Sequence, residues 1–321
     1  MQKIDREKEK VIYLNCKIND FVILKYLFGD MMKHVFIINP ISGKGKTLKV
    51  AENIEKVCQR EKLDYEINYT NYPGEATKIA KKYRFSKNII YSVGGDGTLN
   101  EVLNGIVGTK NILAIIPSGS GNDFYKTLSK IDDEYPIIDI GKINDKYFIN
   151  IVSIGIDAEV ANNVSLMKRK NIPPSQIYNA SLVYTFFKYK YKNIDMTIDE
   201  KEERKGKCTI LTICNGQVYG GGYKIAPEAK LTDGYFDVYY VEKVSKPSLP
   251  SLIGLLKKGL HEKHKKVHKS QATRIKFKCD KKLICNIDGE IITDDKFTIK
   301  IIPQAITIYN NKELINKFLK G

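Results

Sequence analysis

Residues 88–101 read NIIYSVGGDGTLNE. A short apolar and aromatic run, too brief for a helix, breaks at Gly94-Gly95-Asp96-Gly97 and reopens as a helix from Thr98. A buried strand, a glycine-rich turn and a helix make up the repeating half of a parallel α/β sheet. The same pattern flanks it on both sides. Upstream, HVFIIN at 34–39 passes through PISGKGK into an amphipathic helix from Thr47. Downstream, NILAIIP at 111–117 passes through SGSGND into another helix. Between the first two units, residues 64–70 alternate as a strand, and Pro73 sits where a helix running to about Tyr83 begins. The expected fold class is an α/β domain with a parallel sheet and helices on both faces.

Beyond Gly141 the helical signals thin out. YFINIVSIG, IDMTID, KCTILTICNG, YFDVYYVE, RIKFKC, LICNIDG and FTIKII are strand-like runs separated by turns. They predict an antiparallel β domain with helical interruptions around 158–192 and 248–268. The tail after Pro303 returns to helix in NKELINKFLKG. Residues before Lys33 show no clean period, and Met31-Met32 resembles a fresh start, so 1–31 is expected to be an accessory extension.

A chain of 321 residues with 42% hydrophobic and 28% charged residues has globular composition and room for two domains. Nothing approaches the eighteen or so apolar residues of a membrane-spanning helix, and the charged N-terminus leads into no signal-type core. A cytosolic protein is expected. The six cysteines form no CxxC pair; Cys208/Cys214 and Cys279/Cys285, each six apart, are expected to share a strand face as buried thiols. The net charge of +16 attracts anions. Only six of the 53 basic residues are Arg, and Lys lacks the planar fork that reads base edges, so nucleic acid is not the expected partner.

Three glycine-rich loops at the carboxyl ends of parallel strands lie where such sheets bind ligands. There, backbone N–H groups and helix N-termini can approach phosphate. Neither common nucleotide fingerprint is present: Pro40 stands where a P-loop needs Gly, and Phe124 stands where GxGxxG needs its third Gly. Asp96 is held at its loop between glycines. A carboxylate beside a phosphate cradle repels it unless a cation or a hydroxyl hydrogen intervenes, so Asp96 reads as a magnesium ligand or a proton acceptor.

NPISG (39–43), GGDGTLNEV (94–102), PSGSGNDF (117–124), APEAKLTDG (226–234) and IDGE (287–290) resemble, in order and spacing, the diacylglycerol kinase catalytic family of bacterial lipid kinases. The resemblance runs from about residue 33 to the end, with Ser120 where the family usually has Thr. It implies a two-domain lipid kinase fold. Residues 32–141 would bind ATP, 142–304 would form a β-sandwich for the lipid, and 305–321 would return to the first domain. ATP would meet Asn39, Ser42, Thr70, Ser120 and the run Gly95, Asp96, Gly97, Thr98, Leu99, Asn100, Glu101. Asp96 and Asp123 would organise Mg2+ and phosphate, and Glu290 would be the base for the lipid hydroxyl, with Asp96 its rival. A structural Mg2+ would sit at Lys230, Asp233 and Tyr235. Diacylglycerol is the expected acceptor; a sphingoid base, a polyprenol or phosphatidylglycerol also offers a hydroxyl on an apolar tail.

Residues 255–282 carry eleven Lys or Arg against Glu262 and Asp280. Upstream, Leu249, Leu252, Ile253, Leu255, Leu256 and Leu260 form an apolar stripe. The combination predicts either a helix lying in an anionic membrane interface or a core-packed helix with a solvated face. The expected partners are a membrane lipid and an anionic membrane surface, with the protein peripheral at the inner membrane; a homodimer is left open. The rival readings are an NAD kinase-like enzyme, which shares a GGDG loop, and a non-catalytic basic membrane-binding module on the same scaffold.

Overall fold

Successive residues of a strand face opposite ways, so a fully apolar strand must be covered twice. In the computed structural model, which describes residues 32–168, 172 and 176–321, β1 (His34–Ile38) is such a strand. Val35 and Ile37 enter one core cluster, Phe36 and Ile38 another. The extension expected at 1–31 lies outside the described residues.

The chain continues through α1 (Lys46–Arg60), β2 (Tyr65–Tyr69), α2 (Glu75–Lys82), β3 (Ile89–Gly94), α3 (Asp96–Ile106), β4 (Ile112–Pro117) and α4 (Asp123–Leu128). The strands stand in the order β2-β1-β3-β4, all pairs parallel. On α1, Val50, Ala51, Ile54, Val57 and Cys58 recur at helical spacing and cover one face. On the other face lie α2, α3 and α4, through Ile79, Leu103 and Phe124 among others.

Next come β5 (Ile137–Ile143), β6 (Lys146–Phe148), β7 (Ile151–Gly155), α5 (Ile156–Lys168), α6 (Ile177–Lys188), β8 (Lys192–Ile198), β9 (Glu202–Cys214) and β10 (Phe236–Glu242). They are followed by α7 (Leu249–Lys258), β11 (Val267–Ala272), β12 (Arg274–Ile287), β13 (Glu290–Tyr309) and α8 (Lys312–Lys320). Strands β11-β10-β9-β7-β12-β13 pair antiparallel in that order, and β8 pairs with both β9 and β12. The 20-residue β13 belongs to both parts. It begins antiparallel to β12, runs antiparallel along β5, and ends parallel to β4 at Ile308 and Tyr309. The helix after it packs Phe318 edge-on against Phe36 and Tyr91, beneath the first sheet.

The structure redraws three sequence expectations. The interruption at 248–268 is a helix only to Lys258, and Val267 already starts β11. Most of the Lys-rich stretch is therefore strand, and on β12 Arg274, Lys276 and Lys278 point outward between buried Ile275 and Phe277. Three members of the apolar stripe, Leu249, Leu252 and Leu256, are core residues, which is the packed-helix alternative for them. Finally, Cys208 and Cys214 do not share a face. Cys208 packs in one core cluster and Cys214 in the other, because a bulge at Val241/Glu242 shifts the register against β9.

Candidate active site

The three glycine loops meet because their backbones touch. Gly94 O accepts the amides of Ser118 (3.0 Å) and Gly119 (2.9 Å), which joins the second loop to the third. A Cβ on Gly119 would lie 2.3 Å from Gly95 Cα, and one on Gly43 would lie 2.1 Å from Ser118 O. No larger residue fits at either contact. Side chains close the cluster: Thr47 Oγ1 donates to Ser118 Oγ (2.8 Å), and Asn39 Nδ2 donates to Thr98 Oγ1 (3.2 Å). Thr70, after β2, is buried with its amide on Ile38 O. Ser42 is half-buried and Ser120 exposed, both on this rim.

Helix α3 begins at Asp96, so the next residues fan out around its first turn. Asp96 turns toward the third loop, where its two oxygens accept the amides of Asp123 (3.1 Å) and Phe124 (3.2 Å). It thereby holds the start of α4. Gly97 is exposed, and a Cβ there would meet no atom within 4 Å. The side chains of residues 99–101 are engaged elsewhere. Leu99 is core, Asn100 donates to Asp288 Oδ2 (3.0 Å) and Tyr147 O (3.1 Å), and Glu101 accepts the amides of Gly74 (2.8 Å) and Ala76 (3.1 Å) at the head of α2. For a phosphate cradle, residues 99–101 have only backbone to offer.

Burial, countered by its two amide bonds, holds the Asp96 carboxyl above the usual range for Asp, and neighbouring Asp123 pushes the same way. Asp123 pairs with Lys126 (2.7 Å) and accepts the amide of Gly221 (2.7 Å) from the β domain. Two acids held this close, in a loop cluster that presents backbone amides, form a donor set suited to a divalent cation carried with phosphate.

From these acids a cavity of about 310 Å³ runs into the β domain. Its lining includes Asp96, Asp123, Asp288 and Gly289, and Ile151, Ile156, Val160, Leu182, Ile210 and Leu256 are among its apolar walls. Asp288 is the residue of IDGE that the sequence reading passed over. It is buried and accepts four hydrogen bonds, from the amides of Ile149, Asn150 and Ile151 and from Asn100. Glu290 stands one residue beyond the cavity lining, half exposed and paired with Lys146. The sequence signal for Asp288 was its place in a turn, which any Asp-Gly turn shares.

The turn of Lys230, Asp233 and Tyr235 lies away from this cavity. Asp233 Oδ1 accepts the Tyr235 amide (3.1 Å), and buried Asp139 holds the turn through the Gly234 amide (2.7 Å). Among the described residues no group of three or more Asp, Glu, His or Cys could hold a metal. A cation at this turn would have Asp233 as its one carboxylate, with carbonyls and water completing the oxygen set that Mg2+ prefers.

Residues 33–147 match the diacylglycerol kinase catalytic domain, and residues 150–310 match the YegS C-terminal NAD kinase beta sandwich-like domain. The diacylglycerol kinase of Staphylococcus saprophyticus is 31% identical over 271 residues, covering 79% of this chain and 87% of its own length. The chain belongs to the diacylglycerol kinase family. The reaction class is accordingly that of a lipid kinase. The Staphylococcus aureus (strain Newman) diacylglycerol kinase is also 31% identical, over 88% of this chain and 94% of its own. Two crystal structures of Bacillus anthracis chains share the fold of this kinase. One has a TM-score of 0.70 at 24% identity, covering 89% of this chain and 97% of its own. The other, a diacylglycerol kinase, has a TM-score of 0.62 at 20% identity, covering 88% and 98%. Among the described residues no helix is long and apolar enough to cross a membrane.

Proposed function

We propose that this kinase transfers the γ-phosphoryl group of ATP to the hydroxyl of diacylglycerol or a closely related lipid, which for diacylglycerol gives phosphatidic acid. The observation that carries the reading is the cavity, whose lining joins Asp96, Gly121 and Asp123 of the glycine loops to apolar side chains of the β domain. A phosphorylated acceptor with a hydroxyl head and a hydrocarbon tail matches that polarity, whereas a dinucleotide acceptor would leave the apolar walls unmatched.

The division of labour follows from phosphoryl transfer itself, which depends on positioning and charge neutralisation. The loop backbones at 42–46, 94–98 and 118–122 bind and orient the phosphates. Asp96 and Asp123 are the residues that would hold Mg2+ carried with the nucleotide, which would supply neutralisation of phosphate charge. Glu290 accepts the proton of the lipid hydroxyl as its oxygen bonds to phosphorus and the bond to ADP breaks; Lys146 pairs with the Glu290 carboxylate and orients it. The acceptor reaches this point from the membrane, to whose anionic headgroups the basic outer surface draws the protein.

The test is incubation with labelled ATP, Mg2+ and a total membrane lipid extract, followed by identification of the labelled product. Phosphatidic acid is expected. A labelled dinucleotide from NAD, with no labelled lipid, would overturn the reading.

A further inference from the structure

The cavity contains polar atoms that the transfer does not use. Asp157, the second residue of α5, and Ser153, on β7, both line its apolar part. Between them Gly155 has φ +116°, and a Cβ there would lie 2.3 Å from Thr209 O. Only glycine makes this bend, which brings the strand end and the helix start together. Ser153 is 1% exposed. Its hydroxyl lies beside the Asp157 carboxyl and, with the Ala158 amide, steadies the ionised form, yet neither Ser153 Oγ nor Asp157 Oδ1 reaches a well-aligned hydrogen bond, and both are shut off from bulk solvent. Asp157 Oδ2 accepts from Tyr219 Oη at 3.2 Å, and Tyr219 also lines the cavity. Burial of a weakly paired polar group is costly, so a cavity whose lining retains this pair among Ile156, Val160, Leu182 and Ile210 suits a ligand with a polar group inside its apolar tail.

We infer that Asp157 and Ser153 form a polar subsite that recognises an ester carbonyl of a glycerolipid acceptor, selecting acyl esters over other lipid alcohols. This rests on the lipid-kinase reading above. An ester carbonyl accepts hydrogen bonds and donates none. Ser153 offers a hydroxyl donor, and protonated Asp157 offers another. Burial raises the Asp157 carboxyl to about 6, so the neutral donor form is within reach near neutrality, and filling the cavity with lipid favours it further. A long-chain amine would instead require the ionised form. The two residues are specificity-determining; they stand apart from Asp96 and Glu290 in the proposed chemistry.

The experiment compares 1,2-dioctanoylglycerol with 1,2-di-O-octylglycerol, which has the same hydroxyl and chains but no carbonyls. Binding to the full-length protein is measured without nucleotide, and kcat and KM are measured separately with ATP and Mg2+. The wild type should bind the ester at least tenfold more tightly, with the difference in KM. Ser153→Ala and Asp157→Leu should each bring the two ligands within about twofold, while Asp157→Asn, which keeps a donor, should retain part of the preference. Ser153→Ala removes one buried oxygen and keeps the test decisive should Asp157→Leu fail to fold. Equal binding of ester and ether by the wild type, or tighter binding of a long-chain amine, overturns the subsite. Phosphorylation of both glycerides at equal KM overturns it alone; failure to bind or phosphorylate any lipid overturns the lipid-kinase reading with it.

Discussion

Asp96, Glu290 and Asp157 show how the same functional group is given three tasks by its surroundings. Glu290, half exposed beside Lys146, is the base in the proposed function, so Glu290→Gln should lower turnover by about 10²- to 10⁴-fold with nucleotide affinity nearly intact. Steady-state kinetics and binding of a non-hydrolysable ATP analogue measure the two quantities; full activity would remove Glu290 from the base role. Asp96→Asn places an amide N–H against the Asp123 or Phe124 amide, so it should impair nucleotide binding as well as turnover. Asp157 makes a prediction about stability. Its carboxyl is raised to about 6 in the folded protein, above its ordinary value of 3.8. The folded state therefore binds its proton more tightly than the unfolded state, and stability from this group falls as pH rises from about 4 through 6. The full effect is about 3 kcal/mol, and Asp157→Asn should flatten that part of the stability profile in urea unfolding at stepped pH.

At the scale of elements, the site is made by loops that touch through glycine, and two glycines separate packing from ligand space. Gly119→Ala sets a methyl against the Gly95 backbone, which cannot move without opening both loops. Nucleotide affinity should fall at least about tenfold, roughly 1.4 kcal/mol, with a lowered melting temperature. Gly97→Ala meets no protein atom within 4 Å, so the fold should tolerate it. If its nucleotide affinity nonetheless falls, the methyl is meeting the nucleotide; unchanged affinity would move the phosphates away from Gly97. Glu101 illustrates the same lesson in reverse: it lies in the most specific motif, yet its carboxylate caps α2.

At the scale of the whole molecule, Asp288 joins what the chain separates. Its carboxylate collects three amides at the 149–151 crossing and the side chain of Asn100 from α3. Asp288→Ala leaves those buried donors without an acceptor, and at roughly 1–3 kcal/mol for each unpaired group, less than additively, the loss should be about 3–5 kcal/mol in denaturant unfolding. A loss below 1 kcal/mol would show that water replaces the carboxylate. The surface makes the last prediction. Lys257, Lys258 and Lys265 are exposed and Lys266 is half-buried; each Lys near an anionic bilayer contributes about 1 kcal/mol, screened by salt. Changing these four to Gln should weaken binding to anionic vesicles and slow phosphorylation of vesicle-borne lipid, while sparing a short-chain soluble substrate. Equal binding to neutral and anionic vesicles at low salt would refute the electrostatic account.

Elements whose cause is local were legible in the chain. Strand β1 is apolar on both faces, the glycine loops break strands into helices, and α1 carries its apolar residues at helical spacing; each follows from a few neighbouring residues. The loop motifs and the family they resemble were legible for the same reason, since a backbone that must approach phosphate or another backbone restricts residues within one short stretch. The features that needed the folded molecule involve residues far apart in the chain. The bulge that puts Cys208 and Cys214 in different cores depends on β10, and the burial of Leu249, Leu252 and Leu256 depends on the sheet beneath them. Asp288 sits in an ordinary Asp-Gly turn until the fold brings Asn100 to it, and nothing in the sequence singles out Asp157, which lines the cavity. Burial and the loss of hydrogen-bond partners are properties of the packed whole, and no stretch of sequence contains them.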